Sequence, residues 1–319
     1  DEVVLAEIRQ RFQSFGVTMP ERNSRQAMVI EDAVVLPNPN GTAPGMFIDH
    51  QGTAIVLLPG PPREMRPMFE NHVAERLAGR AGSLRVVRRM LRVAGMGESA
   101  VDEKIAPVYT QYDNPVTTIL FNQSEIEIHL TARGRTEKEA SELLDRLSGQ
   151  IEERLGNAVF SFAGERMEEV VGLKLAVGGY TLAVAESCTG GLLAQRITDV
   201  PGSSKYFIGG VIAYANEVKT KELGVEPVLL MEHGAVSAPV AEAMAEGART
   251  RVGTDFGLSI TGIAGPGGGT EEKPVGTVFI ALADGVKTEH RRLNLPGDRN
   301  LVRWRASQAA LDFLRRRLL

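Results

Sequence analysis

The chain has 319 residues, 43% hydrophobic and 24% charged, with 36 Lys and Arg against 40 Asp and Glu for a formal net charge of −4. That composition describes a globular protein of about two or three domains, and the acidic balance argues against a protein built mainly to grip nucleic acid. No apolar run is long enough to span a membrane, the single cysteine excludes an internal disulfide framework and fits a reducing cytoplasm, and the five scattered histidines give no structural zinc site.

Residues 1–82 open on a helical pattern (Val3, Val4, Leu5, Ala6, Glu7, Ile8). Short apolar runs follow at Ala33–Leu36, Met46–Ile48 and Ala54–Leu58, and a helix is predicted over Met65–Ala78. This reads as the back half of a parallel α/β domain. Asn38, Gly41, Thr42 and Gly60 lie in Pro/Gly/Asn-rich loops and are candidate phosphate-loop residues, since such loops offer N–H and hydroxyl donors. The same clusters are equally turn signals.

Residues 83–163 give strand Leu84–Val93, helix Ser99–Tyr109, strands Val116–Phe121 and Glu125–Leu130, helix Thr136–Leu155 and strand Ala158–Phe162. Thr136 and Glu139 have capping-box spacing. The β-α-β-β-α-β order is the split βαβ, ferredoxin-like or KH-like arrangement. Gly95-Met96-Gly97-Glu98 lacks the GXXG spacing that clamps an RNA backbone, so the segment reads as a spacer or dimerisation domain.

Residues 164–319 alternate strands and helices. Helix Met167–Val177 precedes strand Thr181–Ala185; strand Ile208–Tyr214 precedes a helix from Glu217; helix Pro239–Val252 precedes strand Phe256–Ile260. A hairpin of Gly276–Ala283 and Thr288–Leu295 turns at Asp284-Gly285, and Asp298 is placed to cap a last helix. The expected architecture is an α/β/α sandwich.

Ala185-Glu186-Ser187-Cys188-Thr189-Gly190-Gly191 is the most informative run. A hydroxyl residue at a strand-to-helix turn is lifted from the sheet, and the glycines free backbone N–H groups for an anion or oxyanion. Ser187 is therefore a candidate nucleophile; alternatively Ser187 or Thr189 is only a helix cap. Tyr214 ends the next strand, Lys219 follows five positions on, and Thr261-Gly262 ends a third. Ligands of open α/β sheets sit at such carboxyl ends. A lysine with lowered pKa can activate a serine, and a tyrosine can relay its proton or position that lysine. Cys188 competes as nucleophile, but alternation turns neighbouring side chains to opposite sides, and buried free cysteine is a common core residue.

Ala185–Gly191, Ala213-Tyr-Ala-Asn-Glu-Val-Lys219, His233-Gly-Ala-Val-Ser237, Thr261-Gly-Ile-Ala-Gly-Pro266, Glu272-Lys-Pro-Val-Gly-Thr277 and Gly297-Asp-Arg299 together resemble the motif set of the CinA family C-terminal domain, a nicotinamide mononucleotide deamidase. Asn38–Gly45 and Leu58–Met65 resemble later motifs of the family's molybdopterin-binding-like N-terminal domain, and residues 83–163 match its KH-like middle domain in element order. The resemblance implies hydrolysis of the carboxamide to nicotinate mononucleotide and ammonia. Ser187 would be the nucleophile, Lys219 the base held by Tyr214, and backbone groups near Ser187 and around Thr261 and Gly262 the oxyanion site. Glu186, Thr189, Gly190, Asn216, Gly262, Gly265 and Arg299 would bind substrate, with Arg299 on the phosphate. It implies no cofactor for this step, a cytoplasmic homodimer, and no membrane or nucleic-acid partner.

The family's opening Gly-Ser-Glu strand and Thr-Gly-Gly-Leu-Gly-Pro-Thr-x-Asp-Asp loop do not occur here. The chain is therefore expected to be a truncated member. A divalent metal, ADP-ribose and pyrophosphatase activity would belong only to an intact N-terminal domain; a non-catalytic role in competence or DNA damage is the other alternative.

Overall fold

The computed structural model describes all residues except 81 and 83. The chain divides into two compact units, Asp1–Leu84 and Arg85–Leu319. No helix among the described residues is long and apolar enough to cross a membrane.

In the first unit, helix α1 (Glu2–Ser14) is capped by the Asp1 carboxylate, which accepts from the amides of Val3 and Val4. Its buried Val4 and Ile8 pack with Ala27. Strands β1 (Val34–Leu36), β2 (Gly45–His50) and β3 (Thr53–Leu57) follow. They pair antiparallel in the order β1-β2-β3, which corrects the expected parallel arrangement. Connection length decides this: Gln51 and Gly52, both at positive φ (51° and 80°), are all that joins β2 to β3. A tight turn reverses the chain, whereas a parallel crossover needs about a dozen residues. The helix expected over Met65–Ala78 begins earlier and is interrupted, as α2 (Pro62–Met68), a π turn (Phe69–Val73) and α3 (Ala74–Ala78). Pro62 supplies the fixed φ that suits a first helical position.

The second unit holds two sheets. In the first, β4 (Arg85–Ala94), α4 (Glu98–Tyr109), β5 (Val116–Asn122), β6 (Glu125–Gly134), α5 (Glu137–Leu155) and β7 (Val159–Ser161) give the strand order β5-β6-β4-β7, with every neighbour antiparallel. Ile126, Ile128 and Leu130 alternate along β6 and are fully buried with Ala140, Leu144 and Leu147 of α5. Thr136 caps α5 by accepting from the Glu139 amide, while the Glu139 carboxylate reaches back to the Arg135 amide. The reciprocal bond thus falls one residue earlier than the ideal capping box.

The second sheet combines α6 (Met167–Gly178), β8 (Leu182–Glu186), α7 (Leu192–Thr198), β9 (Phe207–Ile212), α8 (Asn216–Leu223), α9 (Pro227–His233), α10 (Ala238–Val252), β10 (Phe256–Gly262), β11 (Thr277–Ala283), β12 (Thr288–Asn294) and α11 (Arg299–Arg317). Strand order is β12-β11-β10-β8-β9; β10, β8 and β9 run parallel, and the β11–β12 hairpin continues the sheet antiparallel. Leu182, Val184, Leu258, Ile260 and Ile280 bury one face with Val171, Leu193, Ala306 and Leu311 of α6, α7 and α11. The opposite face is cut from small residues. Ala183 and Ala185 meet Val240, Met244 and Ala248 of α10. A Cβ on Gly257 would lie 2.1 Å from the Ala245 carbonyl oxygen, so only glycine lets α10 approach this closely. The result is the three-layer α/β/α sandwich, with the carboxyl ends of three parallel strands at one edge.

Candidate active site

Ser187 is the first residue past β8. Its amide continues the parallel ladder by donating to the Ile260 carbonyl (2.9 Å), and its carbonyl accepts from the Gly190 amide (3.1 Å). Gly190 and Gly191 then take φ of 60° and 96°, a left-handed pair that a side chain would strain. The turn leaves Ser187 half-buried and sends Cys188 into the core beside Leu193 and Val184. Burial pushes the Cys188 thiol up to about 11, so it is a poor thiolate source.

Lys219 comes from the first turns of α8, one strand away. It is 1% exposed. Its Nζ lies 2.7 Å from the Ala213 carbonyl oxygen, 3.1 Å from that of Tyr214 and 3.3 Å from Ser187 Oγ. Burial holds its amine below the usual 10.5, because the charged form is the one that loses water. The geometry fits a neutral amine. Two N–H bonds satisfy the two carbonyls, and the remaining lone pair is left for the serine hydroxyl.

Tyr214 serves this lysine through its main chain. The phenol, with the residue 62% exposed, accepts from the Arg299 guanidinium at 3.2 Å, so the expected proton relay through the hydroxyl is not the arrangement found. Arg299 also donates to the Gly265 carbonyl (2.7 Å). Gly265 has φ 79° and precedes Pro266 in the loop after β10.

Glu186 is 1% exposed and faces protein, not an open site. One carboxylate oxygen accepts from the Gly191 and Leu193 amides (3.0 Å each) and the other from Ala194 (2.8 Å). It is the anion on the first turn of α7, which corrects the expectation that it binds substrate. Thr261 is likewise taken up internally: its hydroxyl donates to the Ala235 carbonyl at 2.8 Å. Gly262 pairs with Val278, whose Cγ2 would lie 2.7 Å from an added Cβ. Thr189 is fully buried and its hydroxyl has no partner among the described residues. Asn216 is exposed at the start of α8, and Gly190 is exposed on the serine turn.

Sequence reading missed Arg303. Its Nε and one terminal nitrogen donate to the Thr189 carbonyl at 3.2 and 2.6 Å, bringing a second guanidinium to the serine turn. Its spacing of four from Arg299 on one helix was the available signal.

In the first unit, Asn38, Gly41 and Thr42 line a cleft of about 530 Å³ with Arg11, while Gly60 stands apart from it. Asn38 Nδ2 donates to the Ala43 carbonyl (2.8 Å) and the Glu64 carboxylate (2.9 Å). That carboxylate fills the space over Gly41, where a Cβ would lie 1.8 Å from its oxygen. These residues pack the loop against Glu64. Among the described residues no group of three or more His, Cys, Asp or Glu stands together as metal ligands.

Fold and site define a three-layer α/β/α protein with a serine–lysine pair at the carboxyl edge of its parallel strands. The chain belongs to the CinA family. Residues 164–318 match the CinA C-terminal domain and residues 88–161 the damage-inducible protein CinA KH domain. It is 48% identical over 320 residues to a CinA-like protein of Koribacter versatilis, covering 99% of this chain and 77% of that one. It is 50% identical over 316 residues to a CinA-like protein of Solibacter usitatus, covering 99% and 76%. A crystal structure of a CinA superfamily protein from Klebsiella pneumoniae is 33% identical, over 48% of this chain and 95% of that chain, with a TM-score of 0.47.

Proposed function

We propose that this chain hydrolyses the carboxamide of nicotinamide mononucleotide, releasing ammonia and nicotinate mononucleotide. The observation that carries the chemistry is Lys219 Nζ, buried and 3.3 Å from Ser187 Oγ with two carbonyls on its other side. The motif resemblance supplies the substrate.

Ser187 Oγ attacks the carboxamide carbon while its proton passes to Lys219 Nζ. The carbonyl oxygen gains the charge. The amides of Ser187, Gly190 and Gly191 are already engaged within the protein; of the amides on this turn, those of Cys188 and Thr189 are assigned to the oxyanion. One such donor is worth about 3–4 kcal/mol in the transition state. Lys219 returns its proton to the leaving nitrogen, the C–N bond breaks, and ammonia departs. Water, deprotonated by the same amine, cleaves the acyl-serine ester and restores Ser187.

Ammonia release from nicotinamide mononucleotide tests the proposal. The wild type should turn over with or without chelator, and Ser187→Ala should not. Absence of ammonia from the wild type, or full activity in Ser187→Ala, overturns it.

A further inference from the structure

The rim of the Ser187–Lys219 site carries more positive charge than the bond-breaking step uses. Arg299 and Arg303 stand one turn apart on α11, a spacing that puts both on one helix face. Each is fastened to a loop of the site by a main-chain oxygen. Arg299 holds the Gly265 carbonyl at 2.7 Å, on the loop after β10, and also the Tyr214 hydroxyl at 3.2 Å. Arg303 holds the Thr189 carbonyl through two nitrogens, at 3.2 and 2.6 Å, two residues beyond the nucleophile. Both are close enough to Cys188 to draw its thiol downward against the larger upward push of burial.

Among the described residues, neither guanidinium is neutralised by a carboxylate; every oxygen that holds them is uncharged. A guanidinium carries five N–H donors, so two bonds leave donors on each arginine uncommitted. Two oriented, unneutralised guanidinium groups are preorganised for a doubly charged anion with several acceptor oxygens. A phosphomonoester near neutral pH is such a group. A carboxamide is neutral and needs neither arginine.

We infer that Arg303 acts with Arg299 as a two-arginine clamp on the substrate's dianionic phosphomonoester, and that Arg303 sets selectivity for a nucleotide over its nucleoside. The inference rests on the reading of this site as an amidase and extends it to a residue that the motif resemblance does not include.

The test uses Arg303→Gln and Arg303→Lys in the full chain. Ammonia release is measured from nicotinamide mononucleotide and from nicotinamide riboside, which lacks the phosphate. Binding of ribose 5-phosphate is measured separately by calorimetry. Losing one charge-assisted contact corresponds to about 10–100-fold. Arg303→Gln should raise KM for the mononucleotide by that factor with kcat changed less than about threefold, lowering the mononucleotide-to-riboside ratio of kcat/KM and weakening ribose 5-phosphate equally. Arg303→Lys, which keeps the charge and loses the fork, should fall between. Equal losses on both substrates, or unaltered ribose 5-phosphate binding, overturn the clamp. If the wild type deamidates neither substrate, the amidase reading fails, and the ribose 5-phosphate titration still decides the clamp.

Discussion

Replacing Glu186 by Gln separates an anchoring role from a substrate-binding one. The carboxylate receives three amides, Gly191 and Leu193 on one oxygen and Ala194 on the other. A glutamine keeps one acceptor oxygen. If that oxygen stays on Gly191 and Leu193, the new NH2 meets the Ala194 amide donor to donor. One bond is lost outright and the other two lose charge assistance, at about 2–4 kcal/mol in total. Glu186 belongs to the Arg85–Leu319 unit. For a unit of that size, about 2–4 °C of Tm per kcal/mol gives a fall of roughly 4–16 °C. Thermal unfolding followed by calorimetry or circular dichroism reads it. Turnover should fall as well, because the same turn carries Ser187. A variant within about 1 °C of wild type whose only defect is a raised KM would refute the anchoring argument and return Glu186 to the substrate.

Lys219→Arg keeps a positive charge but cannot deprotonate near neutral pH; ammonia release should drop by about 10²–10⁴-fold with the circular dichroism spectrum retained, and a rate above about a tenth of wild type would count against general-base work. Cys188→Ser should keep most of the activity, and iodoacetamide should label native Cys188 slowly, since the thiol is buried and titrates at about 11; inactivation in step with labelling would make the cysteine the nucleophile. Gln308→Leu should lower stability by about 1–3 kcal/mol in a denaturant titration, because buried Gln308 accepts from Arg196 (2.6 Å) and donates to Glu125 (2.6 Å); leucine leaves Arg196 to Glu168 and Ser307 and Glu125 to Arg92, each one buried bond short; an unchanged midpoint would refute a bridging role for Gln308.

What could be read from the sequence was local. The strand, small-residue turn and helix around Ser187 show as a short continuous apolar run, a glycine-bearing turn and a second apolar run, and the Asp298 and Thr136 caps show as capping residues before periodic runs. Both caps are present, with the Asp298 carboxylate accepting from the Leu301 amide at 2.9 Å. Direction of pairing in the first unit was harder. Three short apolar runs suit parallel or antiparallel strands equally, and only Gln51-Gly52 argued for a turn. Side-chain roles misread in a consistent way. Glu186 and Tyr214 sit in motifs rich in reactive types, which invites a substrate-binding role for the first side chain and a proton-relaying or lysine-positioning role for the second. Their partners are main-chain atoms or another loop: amides five to eight residues on for Glu186, and Arg299, 85 positions away, for the phenol. Arg303 meets Thr189 across 114 positions. No spacing rule reports such a contact.

The buried lysine ties stability to activity through one titration. In the folded chain Lys219 gives up its proton below its ordinary 10.5, because an ammonium at this depth loses its water and gains only two carbonyls and a hydroxyl. In the unfolded chain it holds the proton up to about 10.4. Between those two pKa values the unfolded state binds more protons, so stability rises with pH across that window and is flat at its lowest level below the folded value, where both states hold the proton. The neutral amine that folding favours is also the form that accepts the serine proton, so turnover should rise over the same lower limb. Lys219→Met, close in volume and uncharged, should remove both dependences. Plotted against pH, the difference in unfolding free energy between wild type and Lys219→Met should move in favour of the wild type as pH rises, starting at the apparent pKa that governs kcat/KM. Parallel stability curves for the two proteins from pH 6 to 10, beside a wild-type rate that still rises, would show that the activity limb belongs to a different group.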